Sequence, residues 1–144
     1  MTRQEREAFL AGLHIGVLSI SDAGRGPLSA PVWYAYEPGG EIVFVTGRSS
    51  RKAALLEPGV RVSFVAQSEA LPYKYVSIEG PVTGIEPADT EADVRPIAHR
   101  YLGQQDGDAY VDTMRDGDSG DEIVVRIQPE RWLTVDYAKQ FATS

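Results

Sequence analysis

The segment "LSAPVWYAYEPGGEIVFVTG" (residues 28–47) decides how the chain is read. Leu28, Ala30, Val32, Tyr34 and Tyr36 alternate with Ser29, Pro31, Trp33 and Ala35, the two-residue period of a strand with one buried face. Pro31 has no backbone donor, so it marks an edge or a bulge. "EPGGE" (37–41) reads as a hairpin loop and "EIVFVTG" (41–47) as the returning strand.

The same alternation spreads outward from this pair. Upstream, "HIGVLSIS" (14–21) is strand-like and "DAGRGP" (22–27) is turn chemistry. Before them, Thr2 and Glu5 have capping-box spacing ahead of a short helix with Phe9, Leu10 and Leu13 on one face. Downstream, a helix over 50–56 is stopped by Pro58-Gly59, followed by strands "VRVSFVAQ" (60–67) and "YKYVSIEGPVTGIE" (73–86), the latter kinked at Gly80-Pro81. Val94, Ile97, Ala98, Tyr101 and Leu102 have helical spacing closed by Gly103, and Pro96 sets a late start near Asp93. A second short helix is expected over 107–115, then an acidic loop (116–122), a strand at 123–128 and the closing run "PERWLTVDYAKQF" (129–141). Six short, mostly antiparallel strands with few helices predict a mainly β fold, a small barrel in one domain. Several strands are apolar on both faces, which requires the outer wall to be covered by a helix or a second subunit.

Composition excludes much. The chain has 144 residues and a net charge of −7, which argues against general attraction to nucleic acid or an anionic membrane. It has no cysteine and only two histidines, so thiolate chemistry is excluded and a zinc site is poorly supplied. No signal-like or membrane-spanning run is present, and a cytoplasmic protein is expected.

One local feature runs against the charge. "TGRSSRK" (46–52) crowds Arg48, Arg51 and Lys52 where a strand meets a helix. Gly47 permits a tight turn, Ser49 or Ser50 can cap the helix, and the cations can hold a phosphate. Cations in a first helical turn oppose the helix dipole, so a bound anion gives them a reason to be there. The bland alternative is a capped surface helix with solvated charges. No nucleophile elbow, metalloprotease or Gly-rich nucleotide motif occurs. Glu79, His14 and His99 read as structural or solvated groups. A chain so poor in acid–base residues suits chemistry borrowed from a cofactor.

The order of "HIGVLSI…LSAPVWYAY", "EIVFVTGRSSRKAALL", "GVRVSFVAQ", "YKYVSIEGPV" and "PERWLTVDYAK" resembles the FMN-binding split-barrel family, the pyridoxamine 5'-phosphate oxidase-like proteins, over about residues 8–139. Within it, the chain is most similar to the deazaflavin branch that uses coenzyme F-420. The resemblance implies a six-stranded antiparallel split β-barrel, a homodimer with two cofactor sites along its seam, and hydride transfer to a small planar substrate. It implies that the cofactor phosphate lies on Ser50 and Lys52, with Arg48, Ser49 and Arg51 nearby. The ring is expected against Pro31, Val32 and Trp33, with Thr46 and Gly47 at its edge, and Gln67, Tyr75 or Trp132 completing the site. FMN in place of F-420, or a non-catalytic flavin carrier, are the alternatives. The tail "RWLTVDYAKQFATS" has no histidine, unlike the Arg- and His-rich end of vitamin B6 oxidases, which argues against that reaction. Val43 is expected in the dimer seam.

Overall fold

A computed structural model describes residues 1–116 and 121–142. Seven strands form the body: β1 (Gly16–Ile20), β2 (Leu28–Val32), β3 (Ile42–Gly47), β4 (Arg61–Gln67), β5 (Lys74–Pro87), β6 (Glu122–Ile127) and β7 (Arg131–Asp136). All pairings are antiparallel, and six strands follow the order β2-β1-β4-β5-β6-β3 while β7 pairs β5. The two ends of that path meet through one residue pair, Ala35 with Val43, whose two backbone bonds measure 2.8 and 2.9 Å. The sheet is thus a six-stranded barrel, barely closed on one side, as expected of a split barrel.

The hairpin expected over 28–47 is reduced to that bridge, because β2 ends at Val32. Beyond it the Tyr34 N–H is accepted by the Tyr101 hydroxyl at 3.0 Å rather than by a strand. The inward–outward alternation nevertheless continues: Val32, Tyr34 and Tyr36 are buried. The edge position foreseen from Pro31 is real, since β2 ends the strand order. β7 was not foreseen from the sequence; Trp132 and Thr134 pair with Ile78 and Val76, extending the inward face of β5.

β5 is the common member. Residues 75–81 pair with β4 and residues 82–87 with β6, with a register shift between Val82 and Gly84. Its 14 residues span roughly 45 Å at about 3.3 Å each, long enough to serve both halves of the barrel. The interior is filled by Leu18, Ile20, Tyr34, Ile42, Phe44, Val62, Phe64, Val76, Ile78, Val82, Val125 and Ile127. Each such side chain contributes about 1.5–3 kcal/mol by leaving water.

Helices close the ends and one side. α1 (Arg3–Ala11) carries the full Thr2–Glu5 capping box, and Arg100 donates to the Ala11 and Gly12 carbonyls at its other end (3.0 and 2.6 Å). α2 (Arg51–Leu55) is capped by Ser50, whose Oγ accepts from the Ala53 N–H at 3.1 Å. A π-helical turn (Thr90–Val94) leads into α3 (Arg95–Asp116), which is broken at Gly103, where φ is 82°. The two limbs match the two helices expected there. Val94, Ala98 and Val111 pack on Val45 and so cover the outer side of β3, with Glu122 of β6 lining the same small cavity as Val94 and Ala98. α4 (Tyr137–Ala142) ends the described chain, and most of the acidic stretch 116–122 lies outside the described residues. Glu122 already belongs to β6. Among the described residues, no helix is long and apolar enough to cross a membrane.

The crossover point of β5 gives a stability test. A Cβ on Gly80 would lie 1.8 Å from the Gln128 carbonyl oxygen, a backbone atom that cannot move aside. Gly80→Ala is expected to cost about 2–4 kcal/mol in urea denaturation, at the upper end of overpacking costs. Gly84→Ala, whose nearest neighbour is the Arg126 Cδ at 3.9 Å, should stay within about 1 kcal/mol of wild type.

Candidate functional site

The end of β2, the end of β3 and the start of α2 come together around an open cleft of about 360 Å³, within the range of small-ligand sites. Pro31, Val32, Trp33, Thr46 and Lys52 line it, all singled out from the sequence, together with Ile15, Val45 and Tyr110. Trp33 is its flat wall. The indole stacks on Tyr101 (centroids 5.1 Å apart, 7° between planes) and meets Tyr110 at 5.6 Å and 51°. Tyr101 is itself fixed, donating to the His14 carbonyl at 2.6 Å while accepting from Tyr34. Both limbs of α3 therefore set the orientation of Trp33.

The cation cluster is less free than its sequence suggests. Arg48 Nε donates to Asp121 Oδ1 at 3.0 Å, and its backbone N–H donates to the Asp121 carbonyl at 2.8 Å. Ser49 Oγ donates to the other Asp121 carboxylate oxygen at 3.3 Å. The Arg51 guanidinium is paired with Asp22. Two of the three cations thus find their anions within the protein, and α2, five residues long, has little dipole to oppose them. Lys52 makes no ion pair or hydrogen bond among the described residues, and it faces the cleft. Ser50 Oγ lies 3.3 Å from the buried Thr46 Oγ1, so the cap and the cleft floor are linked. Space beside Gly47 is open: a Cβ there would meet nothing within 4 Å.

Gln67 stands apart from this group. It is exposed at the end of β4, opposite Tyr75, and Ile15, just before β1, lies between it and Trp33. Trp132 is on the inner side, with the Arg6 guanidinium 4.5 Å from its ring centre and Tyr36 against its edge. It does not line the cleft. His14 stacks on Phe9 and its Nε2 donates to the Phe9 carbonyl at 2.9 Å; burial holds its pKa below the usual imidazole value. That is a structural role, as read from the sequence.

Sequence reasoning missed Ile15, Val45, Tyr110 and, beneath the cleft, Glu122. A smaller cavity of about 60 Å³ is lined by Glu122 and shares Trp33, Val45 and Tyr110 with the main cleft. Burial raises the Glu122 carboxyl above the usual carboxylate range. The available signal was outward parity: Glu122, Val124 and Arg126 form one face of β6, and Glu122 pairs with Gly47.

Another cleft of equal volume lies under the closing bridge. Glu37, Glu41 and Asp93 line it against one cation, Arg126, so it disfavours an anionic ligand.

No curated protein sequence matches this chain. Solved structures similar to it include a conserved hypothetical protein from Mycobacterium tuberculosis (28% identity, TM-score 0.75, covering 98% of this chain and 88% of that one). An F420 reductase is similar at 20% identity and TM-score 0.69, over 88% of this chain and 94% of that one. A FAD-binding protein from Mesorhizobium loti is similar at 18% and 0.61, over 93% and 94%. The last two likenesses speak to the fold alone. The family model described as pyridoxamine 5'-phosphate oxidase matches residues 2–134, nearly the whole barrel with every strand that borders the cleft, and by that match this chain belongs to the pyridoxamine 5'-phosphate oxidase family.

Proposed function

We propose that the chain is an oxidoreductase that holds a flavin-type cofactor, coenzyme F-420, in the cleft between Trp33 and Lys52 and serves hydride transfer to a small planar organic substrate. The observation that carries this reading is the pairing, in one cleft, of a rigid aromatic wall with a cation that has no partner among the described residues. The resemblance of the sequence segments to the F-420 branch favours the deazaflavin; an F420 reductase is among the proteins that share the fold. Lys52 and the hydroxyl of Ser50 hold the phosphate. Ser50 accepts from Ala53, which leaves its hydroxyl proton free to donate. Arg48 and Arg51 contribute field at the rim; Gly47 lets the ring edge approach the backbone. The cofactor supplies the hydride, and the chain supplies binding, orientation and exclusion of water.

The site is completed by a second copy of the chain. α3 covers the outer side of β3, but no described element covers the outer side of β2-β1-β4-β5-β7. Strand register sets Pro31, Val17, Val65, Ser77 and Leu133 in one outward row there. Leu133 is 62% exposed, and Ile15, Tyr73 and Leu71 add 49%, 49% and 78%. An apolar face of this kind on a soluble protein calls for a partner, and a two-fold axis places the patch against itself. Pro31 and Ile15 belong both to this face and to the cleft, so the seam runs along the cofactor site. Val43, expected in the seam, lies at the closing bridge with Pro96 and Ile97 nearby, so Val65 in the outward row is the better probe of the proposed seam.

Lys52→Ala should weaken F-420 binding by about 1.5–3 kcal/mol, the worth of a charge-assisted hydrogen bond, or roughly ten- to a hundredfold in Kd. Fluorescence titration measures it; an unchanged Kd would leave Lys52 a solvated surface charge. Titrating wild type with FMN in parallel separates the cofactors, and stoichiometric FMN without F-420 binding would reverse the choice. Val65→Asp should convert a dimer to a monomer in light scattering at micromolar concentration and abolish cofactor binding with it. A wild-type monomer that binds tightly would sink the seam.

A further inference from the structure

We propose that Glu122 is the proton-exchanging group of this cleft, meeting the bound ring and substrate from beneath Trp33 and Tyr110. The inference rests on the function proposed above and adds the one acid that the site otherwise lacks.

Three features of the geometry point to it. The Glu122 side chain has no hydrogen bond or ion pair among the described residues, although it is half-buried. Its cross-strand partner is Gly47, so the space opposite it on β3 is empty of side chain. Its cavity, about 60 Å³, shares three walls with the main cleft. A water needs only about 10–15 Å³ of such volume, so there is room for a water to link the carboxyl to the cleft. A half-buried carboxyl without a partner is costly, and none of the described residues pairs with it.

Among the described residues, the surroundings of Glu122 are sparse in charge. From α3, Tyr110 is the titratable side chain lining the cavity. On β5, Glu86 sits two pairs further along, opposite Val124, while the Ala88 N–H donates to the Glu122 backbone carbonyl at 2.9 Å. Asp121 is occupied by Arg48 and Ser49, and Lys52 lies in the adjoining cleft. Desolvation therefore governs the carboxyl and raises its pKa.

Chemistry supplies the need. Hydride addition to a C=C or C=O bond breaks the π bond and leaves its electron pair on the far atom, which must take a proton. Glu122 gives that proton from its O–H, and the carboxylate regains one from water in the cavity. The hydride comes from the reduced deazaflavin or flavin. A group used this way has to be protonated at working pH, which burial favours.

The test reads binding rather than turnover. F-420 and FMN are titrated into wild type and Glu122→Gln from pH 5 to 9. A ring that closes the cleft dehydrates Glu122 further, so wild-type affinity should fall as pH rises past the carboxyl pKa, by at most about tenfold per pH unit. The Gln variant should keep the low-pH affinity and lose that fall. Because the raised carboxyl weakens the folded state once ionised, Glu122→Gln should also melt higher than wild type at pH 8 and equally at pH 4. Parallel binding profiles in the two proteins would overturn the proposal and leave the cofactor reading intact. Failure of wild type to bind either compound at any pH would overturn both.

Discussion

A sheet of six strands closes on itself here through one residue pair, Ala35 with Val43. Everything about the cleft follows from how little ladder that closure uses. Between Val32 and Ala35 the chain leaves the sheet, and its backbone groups need other partners. The Tyr101 hydroxyl supplies them, accepting from the Tyr34 N–H and lying 3.2 Å from the Tyr34 carbonyl. Trp33 is thereby turned onto the Tyr101 ring. A full hairpin over 28–47 would have spent those backbone groups on β3 and left no gap for a ligand beside Thr46 and Val45.

The outer wall divides along the same line. On the β3 side, Val94, Ala98 and Val111 pack over Val45, and Val124 on neighbouring β6 is as buried as a barrel-interior residue. On the other side, Leu133 and Ile15 face outward uncovered. The cleft sits on the boundary, with Tyr110 of α3 on one flank and Pro31 on the other. A ligand there touches both the part of the barrel that helices cover and the part that no described element covers.

What could be read from sequence was what depends on near neighbours. The Thr2–Glu5 box, the Ser50 cap, the break at Gly103 and the inward run Val32, Tyr34, Tyr36 are all set within a few residues. The family likeness gave the split barrel because strand order follows from many such segments together. The misses involve distant partners. β7 is short and owes its form to pairing with residues 74–79, more than 50 positions earlier. Asp121 reaches Arg48 across 73 positions and Asp22 reaches Arg51 across 29, so the cluster looked uncompensated when it was not. Glu122 read as the end of an acidic loop; only the β3–β6 register turns it toward Gly47 and the cavity.

Those two ion pairs also change what the cluster can do. Both arginines are solvent-exposed, and pairs with an exposed member contribute about 0–1 kcal/mol each. Their larger effect is geometric: Asp22 follows β1, Asp121 precedes β6, and the arginines tie both to the β3–α2 junction. A phosphate that took either arginine would exchange one charge-assisted contact for another and gain little. Lys52 has no such contact among the described residues to give up, so an interaction with an anion would be a net gain. The arginines are thus chiefly shape and Lys52 chiefly charge, which is how a chain with a net charge of −7 can attract an anion at one point without a broad basic surface.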